Sequence, residues 1–259
     1  MKRMLSLSVV TLIAVVVLCV FALAPGAGAQ SKGVPPSPIR LETNGGVVTI
    51  TPIYHASALI EADGKNIYID PAKPGDFSGR PKADLILLTD IHGDHMDPAI
   101  IATLSKDGTE VIAPPAVVQT VKQAKPISNG ETQKWGGWTI EAIPMYNLTR
   151  GPAAGQLYHP KGRGNGYVLS FGGKRIYFSG DTENIPEMRA LKNIDIAFIC
   201  MNLPYTMPPD EAAEAVKAFH PKVVYPYHYK GSDLNDFRKD LDGTGIKVEN
   251  LDWYANEAH

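Results

Sequence analysis

The chain has 259 residues, of which 44% are hydrophobic, and its formal net charge at pH 7 is −2. This length can bury the core of one sizeable domain. The mildly acidic balance gives no electrostatic reason to expect nucleic acid or an anionic membrane surface as a partner.

The first segment has the pattern of a secretory signal peptide. A positively charged start precedes an almost unbroken apolar run, Leu5 to Leu23, and small residues lead up to Ala29. The pattern predicts that residues 1–29 are a signal peptide, and that the protein is exported to the periplasm or secreted, with no membrane span after cleavage. The alternative is an uncleaved anchor, because the apolar run approaches the length that crosses a bilayer.

Cleavage would leave Cys200 as the one remaining cysteine, which excludes an internal disulfide and predicts a buried, inert thiol. Residues 30–40 are rich in Pro and Ser and are predicted to be a flexible leader, and residues 41–259 to be one domain. Residues 45–71 have the pattern of strands, broken by a hairpin turn at the sequence ADGK.

The next run, ADLILLTD, is continuously apolar up to its polar end, which is typical of a strand buried on both faces. A helix is predicted after it, with Asp97 as N-cap, Pro98 at the first helical position and Gly108 just beyond the end. A strand (EVIAP) and a short helix (PAVVQTVKQA) follow.

The second half of the chain repeats this order. Strands are predicted in WTIEAIPMY, GYVLSFG and KRIYFSGD, with a Gly-Gly turn between the last two. The strands AFIC and KVVYPYHY then flank the predicted helix PPDEAAEAVKAFH. Two halves that each begin with hairpin strands and end in strand–helix alternation indicate a layered α/β sandwich.

One loop concentrates residues that bind metals. Asp90, His92, Asp94 and His95 lie within six positions, between the buried strand and the helix that begins after Asp97. Loops at the carboxyl ends of buried strands are where α/β proteins place their sites. Such a tight loop can direct two donors one way and two another, which suits a pair of adjacent metal ions. Asp181 and His228 stand at two later strand ends, so three strand ends each present a ligand.

The motifs TDIHGDH, YFSGDTE and VVYPYHY together resemble the metallo-β-lactamase superfamily, whose usual first motif is H-x-H-x-D-H. The flanking sequences YHASALIEADGKNIYIDP and PPDEAAEAVKAFHPKVVYPYHY resemble the branch that contains ascorbate-phosphate lactonase and the N-acylphosphatidylethanolamine phospholipases. The resemblance covers roughly residues 45–230, in the right order. It implies a four-layer αββα sandwich with a two-metal hydrolytic centre at one edge.

The resemblance also implies roles for individual residues. His92 would bind the first metal ion, and Asp181 would bridge both ions. The second ion would be bound by Asp94, His95 and His228. The remaining ligand of the first ion is His159 or Asn147, and His159 is preferred because an imidazole is the better donor.

Asp90 departs from the usual motif, which begins with His. Its carboxylate could bind a metal, which would favour harder ions such as manganese or iron(II), or it could orient another ligand. His55, on a nearby strand, could complement it. Asn147 and Tyr205 are expected at the substrate pocket or in support of the ligands, and Lys161 and Arg163 could meet an anionic substrate.

The sequence therefore predicts a hydrolase with two divalent ions, zinc or alternatively manganese or iron. A metal-activated water would attack an ester, lactone or phosphodiester bond of a small-molecule substrate, with Asp94 and Asp181 as the catalytic carboxylates. The alternative is a non-catalytic envelope protein that binds metal or a small ligand on the same scaffold. The missing imidazole at Asp90 favours that alternative.

Overall fold

The computed structural model describes residues 37–255. The predicted signal peptide, residues 1–29, and residues 30–36 of the predicted leader lie outside the described residues. Ile39 and Arg40, which the leader prediction includes, are the first two residues of a strand. Within residues 37–255, no helix is long and apolar enough to cross a membrane.

The first sheet has seven strands in sequence order. Its first four strands pair antiparallel and its last four parallel, with the fourth strand belonging to both sets. The strands are β1 (Ile39–Thr43), β2 (Gly46–Tyr54), β3 (Ser57–Ala62), β4 (Lys65–Ile69), β5 (Leu85–Leu87), β6 (Glu110–Ala113) and β7 (Lys125–Pro126).

The second sheet repeats this plan with seven further strands, antiparallel from β8 to β11 and parallel from β11 to β14. The strands are β8 (Thr132–Trp135), β9 (Trp138–Met145), β10 (Gly164–Phe171), β11 (Lys174–Phe178), β12 (Ile196–Cys200), β13 (Val223–Tyr227) and β14 (Lys247–Val248). Five helices complete the described chain: α1 (Pro98–Leu104), α2 (Pro115–Val118), α3 (Pro186–Arg189), α4 (Pro209–Phe219) and α5 (Leu234–Leu241).

Strand β5 shows how the layers pack. Leu85 and Leu87 belong to the large apolar core that both sheets share, which also takes in the buried faces of α4 and α5. Ile86 and Leu88 belong to a second core, with residues of α1 and α2. Because successive strand side chains point to opposite faces, the sheet is covered on both sides. The predicted four-layer αββα sandwich is confirmed.

Two local predictions in the first half of the chain are confirmed: the hairpin turn at ADGK and the N-cap of α1. Asp63 and Gly64 have positive φ angles of 49° and 67°, which the two-residue hairpin between β3 and β4 requires. Asp97 caps α1 by accepting hydrogen bonds from two backbone N–H groups. The helix is shorter than predicted, because the chain turns extended at Ser105, before Gly108.

Cys200 is fully buried at the end of β12, as predicted. Burial raises the pKa of its thiol to about 12. The thiol therefore stays protonated and unreactive at neutral pH.

Candidate metal centre

Ligand-type side chains gather where three strands end. Residues 90–95 follow β5, Asp181 follows β11 and His228 follows β13, so loops from both sheets contribute. These are the carboxyl ends of strands with parallel neighbours, where α/β sheets bind ligands. Among residues 37–255, three groups have donor atoms that lie within 4.8 Å of one another: His55–Asp94–His228, Asp90–His92–His159 and His95–Asp181–His228.

His95, Asp181 and His228, here named the Asp181 cluster, form the most buried group. The Nε2 atoms of His95 and His228 each lie 3.3 Å from an oxygen of Asp181. His159 Nε2 also lies 3.2 Å from Asp181 Oδ2. These three Nε2 atoms and Asp181 Oδ1 are buried and have no hydrogen-bond partner within residues 37–255.

Buried polar atoms nearly always have hydrogen-bond partners. A convergent set of buried polar atoms that lacks such partners therefore indicates a ligand-binding site. Imidazole nitrogens and a carboxylate oxygen are the donors that zinc and similar ions bind. Burial alone would lower the pKa of His95, but Asp181, Asp94 and Asp70 raise it well above its usual value. The same negative potential favours a metal cation at His95 Nε2. The Asp181 cluster therefore fits a divalent ion.

Asp94 borders the Asp181 cluster on its solvent-exposed side, with 44% of its side chain exposed. Its Oδ2 lies 3.4 Å from His228 Nε2 and 3.3 Å from His55 Nε2. His55 Nδ1 lies 2.6 Å from the hydroxyl of Tyr254. Burial and the neighbouring His228 lower the pKa of His55 to about 4, so its ring is neutral. All these contacts are satisfied if Tyr254 donates to Nδ1 and Nε2–H donates to Asp94, and His55 then orients Asp94.

Asp70 positions His95, and the sequence interpretation missed it. Its Oδ2 lies 2.8 Å from His95 Nδ1, and it also accepts hydrogen bonds from the backbone N–H and hydroxyl of Thr89. Nδ1–H therefore donates to Asp70, which leaves Nε2, directed at Asp181, as the nitrogen that gives up its proton when a metal ion binds. The available clue was an Asp directly after the apolar run NIYI of β4.

Asn147 positions His159 in the same way. Its Oδ1 accepts hydrogen bonds from both the backbone N–H and the ring Nδ1 of His159, each 2.7 Å away. Its Nδ2 donates to Glu183 and to the backbone carbonyl of Tyr205. Of the two candidates for the same ligand position, His159 therefore presents its free nitrogen to Asp181, and Asn147 orients that ring.

Asp90 lies in a closed group with His92 and Arg163, here named the Arg163 triangle. Arg163 donates from Nε to Asp90 Oδ1 at 3.0 Å and from Nη2 to Oδ2 at 2.9 Å. His92 Nδ1 lies 2.9 Å from Asp90 Oδ2, and His92 Nε2 lies 3.3 Å from Arg163 Nη2. Burial opposes ionisation of Asp90, but its hydrogen bond with His92 and the positive charges of His95, His92 and Arg163 hold its pKa below the usual value.

The other residues that were expected near a substrate have separate surroundings. Lys161 pairs with Glu187 on α3, and Arg163 pairs with Asp90. Tyr205 is 46% exposed, and its ring meets that of Tyr158 edge-on at 5.1 Å. The large exposed apolar side chains of the described residues all lie on or beside loops of the centre: Ile91, Leu148, Leu203 and Tyr205.

An αββα sandwich whose sheet ends present a buried His/Asp cluster defines a metal-dependent hydrolase of the metallo-β-lactamase type. Comparison with known families agrees: the chain belongs to the β-lactamase superfamily, because the model of the Beta-lactamase superfamily domain matches residues 49–228.

Within this superfamily, the relatives that match the chain are UPF0173 metal-dependent hydrolases. One from Methanopyrus kandleri is 30% identical over 221 residues, which covers 77% of this chain and 94% of the relative. One from Thermus thermophilus is 32% identical over 185 residues, which covers 67% and 80%. The superfamily prediction is confirmed. The closer resemblance to the lactonase and phospholipase branch stays a prediction.

Solved structures agree with the fold. A candidate metal-dependent hydrolase from Parabacteroides distasonis has a TM-score of 0.79 and 42% sequence identity, and the match covers 83% of this chain and 98% of that one. The metallo hydrolase Igni18 from Ignicoccus hospitalis has a TM-score of 0.66 and 25% identity, with 79% and 94% covered.

Proposed function

We propose that the protein hydrolyses a small-molecule ester, lactone or phosphodiester at the Asp181 cluster. The observation that carries the proposal is the convergence of buried, unpartnered nitrogen and oxygen atoms around Asp181. A divalent ion bound there would lower the pKa of a water molecule and polarise the scissile oxygen. Hydrolysis then needs no Ser or Cys nucleophile, in agreement with the inert Cys200.

Asp94 is our candidate for the group that acts on the water, because its carboxylate borders the Asp181 cluster on the solvent side. Although burial opposes ionisation, contacts with His95, His228 and His55 hold its pKa well below the usual range. So acidic a carboxyl is a weak base, and we infer that Asp94 orients the attacking water through a hydrogen bond. Asp181 is nearly buried and faces three imidazoles, so its role is to hold the ion.

The donor types support the choice of metal. The cluster offers imidazole and carboxylate but no thiolate, which suits zinc and also accommodates manganese or iron. The proposed hydrolysis requires at least one ion, at the Asp181 cluster. The predicted pair of ions stays a prediction, as does export by the segment 1–29.

The second candidate function is binding of a metal or small ligand without catalysis. The observation that favours it is the departure at Asp90, whose carboxylate is held by Arg163 instead of being open to an ion. Against it stands Asp94, a partly exposed carboxylate beside the buried donors, as a hydrolytic site requires.

The experiment is a panel of esters, lactones and phosphodiesters, assayed with protein that has been stripped and reloaded with zinc or manganese. We expect His95→Ala and Asp181→Ala to abolish metal binding and turnover together. The matched control is His220→Ala, because His220 is bonded to the backbone of Thr244, outside the centre. Tight metal binding by the wild type, with no turnover on any substrate of the panel, would favour the binding function instead.

A further inference from the structure

We infer that the centre holds a single divalent ion, in the Asp181 cluster, and that Arg163 occupies the donor atoms of Asp90 and His92 and so excludes a first metal ion. The inference rests on the proposed metal site. It concerns Asp90, His92 and Arg163, which lie where the family resemblance implies a first metal site.

The first observation is that His92 has no free nitrogen. Its Nδ1 lies 2.9 Å from Asp90 Oδ2, and its Nε2 lies 3.3 Å from Arg163 Nη2. Both contacts are satisfied when Nδ1–H donates to Asp90 and Nε2 accepts from Arg163. A histidine binds a metal through a nitrogen lone pair. In the Arg163 triangle that lone pair is already used.

Asp90 is engaged in the same way. Both of its oxygens accept from the planar fork of Arg163, the paired geometry that guanidinium and carboxylate favour. Its side chain is fully buried, so water cannot compete for those oxygens. Asp90 and His92 therefore do not fit an ion, because each contact that would bind one is made inside the triangle.

One donor of the implied first site remains. His159 Nε2 is unpartnered and lies 3.2 Å from Asp181 Oδ2, but 3.8 Å from Asp90 Oδ2. His159 and Asp181 together would supply two protein ligands. Catalytic zinc sites usually have three. The Asp181 cluster, in contrast, supplies two imidazoles and a carboxylate, with Asp94 beside them.

The charge balance explains why Asp90, in place of the usual His, is compatible with the fold. A carboxylate in place of an imidazole adds one negative charge, and Arg163, which is always protonated, removes it again. The Asp90–Arg163 pair is thus as neutral as the imidazole it replaces. A divalent cation placed beside the guanidinium would be repelled in this partly buried setting, since only 19% of the Arg163 side chain is exposed.

The test is the number of zinc ions per chain, measured by elemental analysis after saturation and removal of loosely bound metal. We expect one ion in the wild type. We expect two ions in the double variant Asp90→His/Arg163→Met, which restores the usual H-x-H-x-D-H motif and removes the cation. The matched control is Arg175→Met, because Arg175 pairs with Glu141 away from the centre, and it should retain one ion.

Two tightly bound ions in the wild type would overturn the inference and leave the proposed hydrolase intact. A double variant that folds, judged by its melting temperature, yet still binds one ion would refute the role of Arg163. No bound divalent ion in the wild type, after saturation with zinc or with manganese, would overturn both proposals. The wild-type count decides the number of ions even if the double variant does not fold.

Discussion

Replacing Asp70 with Asn tests whether the tautomer of His95 controls metal binding. Asp70 accepts hydrogen bonds only, from Thr89 N–H, from the Thr89 hydroxyl and from His95 Nδ1. An Asn has nearly the same shape but presents one acceptor and one donor. If its oxygen keeps the bond to Thr89 N–H, its NH₂ faces His95 Nδ1. The imidazole then loses its carboxylate acceptor and keeps only the Thr89 hydroxyl, 3.0 Å from Nδ1, which favours the proton on Nε2, the nitrogen directed at Asp181.

The size of the effect follows from this geometry. Loss of the partner that orients a metal-binding histidine typically weakens metal affinity by about 10- to 100-fold. This corresponds to about 1.4–2.8 kcal/mol of binding free energy. We expect Asp70→Asn at the upper end of the range, because it opposes the required tautomer and also removes a buried negative charge 2.8 Å from the ring.

The assay is a competition titration of zinc against a chelator of known affinity, with circular dichroism to verify the fold. The control is Asp195→Asn, which also removes a carboxylate that bonds to a backbone N–H and a side chain, but outside the centre. The control should leave zinc affinity unchanged. Equal zinc affinity in Asp70→Asn and the wild type would refute the assignment of His95 as a ligand whose tautomer Asp70 sets.

Two further predictions concern stability. A Cβ at Gly166 would lie 2.7 Å from the carbonyl oxygen of Ser179 and 2.9 Å from that of Phe178, so Gly166→Ala should lower the free energy of unfolding in urea by about 1–3 kcal/mol; an unchanged urea midpoint would contradict this. Burial opposes ionisation of Asp195, but Lys222 and the backbone N–H of Arg175 lower its pKa in the fold. Its contribution to stability is therefore present above the unfolded-state pKa, near 4, and is lost as pH falls through the lower folded-state pKa. Wild-type stability should decline more steeply with acidification than that of Asp195→Asn, and parallel acid-denaturation curves would refute the assignment.

The sequence predicts the elements whose causes are local. Asp97 and Pro98 begin a helix because the cap and the fixed φ of proline act within one turn. The two glycines of the Gly172–Gly173 turn have the positive φ angles, 53° and 79°, that a tight hairpin needs. Most of the longer strands could therefore be predicted, whereas β1, β7, β8 and β14 were not. Helix α5 was missed, because it is short and mostly polar, with Phe237 and Leu241 as its buried residues.

The contacts that orient the side chains of the candidate site could not be predicted, because they join residues that are distant in sequence. Asp90 meets Arg163, 73 residues away. His55 meets Tyr254, 199 residues away. In the sequence, the position of Asp94 or Asp181 after a strand indicates that the residue lies at the edge of the sheet where the site forms. Which nitrogen of a histidine is free, and which carboxylate is already paired, depends on how the two sheets pack.

These distant contacts also make the histidines of the centre chemically different. His95 donates to a buried carboxylate, which makes its Nε2 the most basic of the open nitrogens. His159 donates to the neutral amide of Asn147, which supports its ring less strongly. His92 is bound at both nitrogens within the Arg163 triangle. Affinity for an ion should therefore decrease from the Asp181 cluster towards Asp90, and this gradient, more than the number of ligand-type residues, determines where a metal binds.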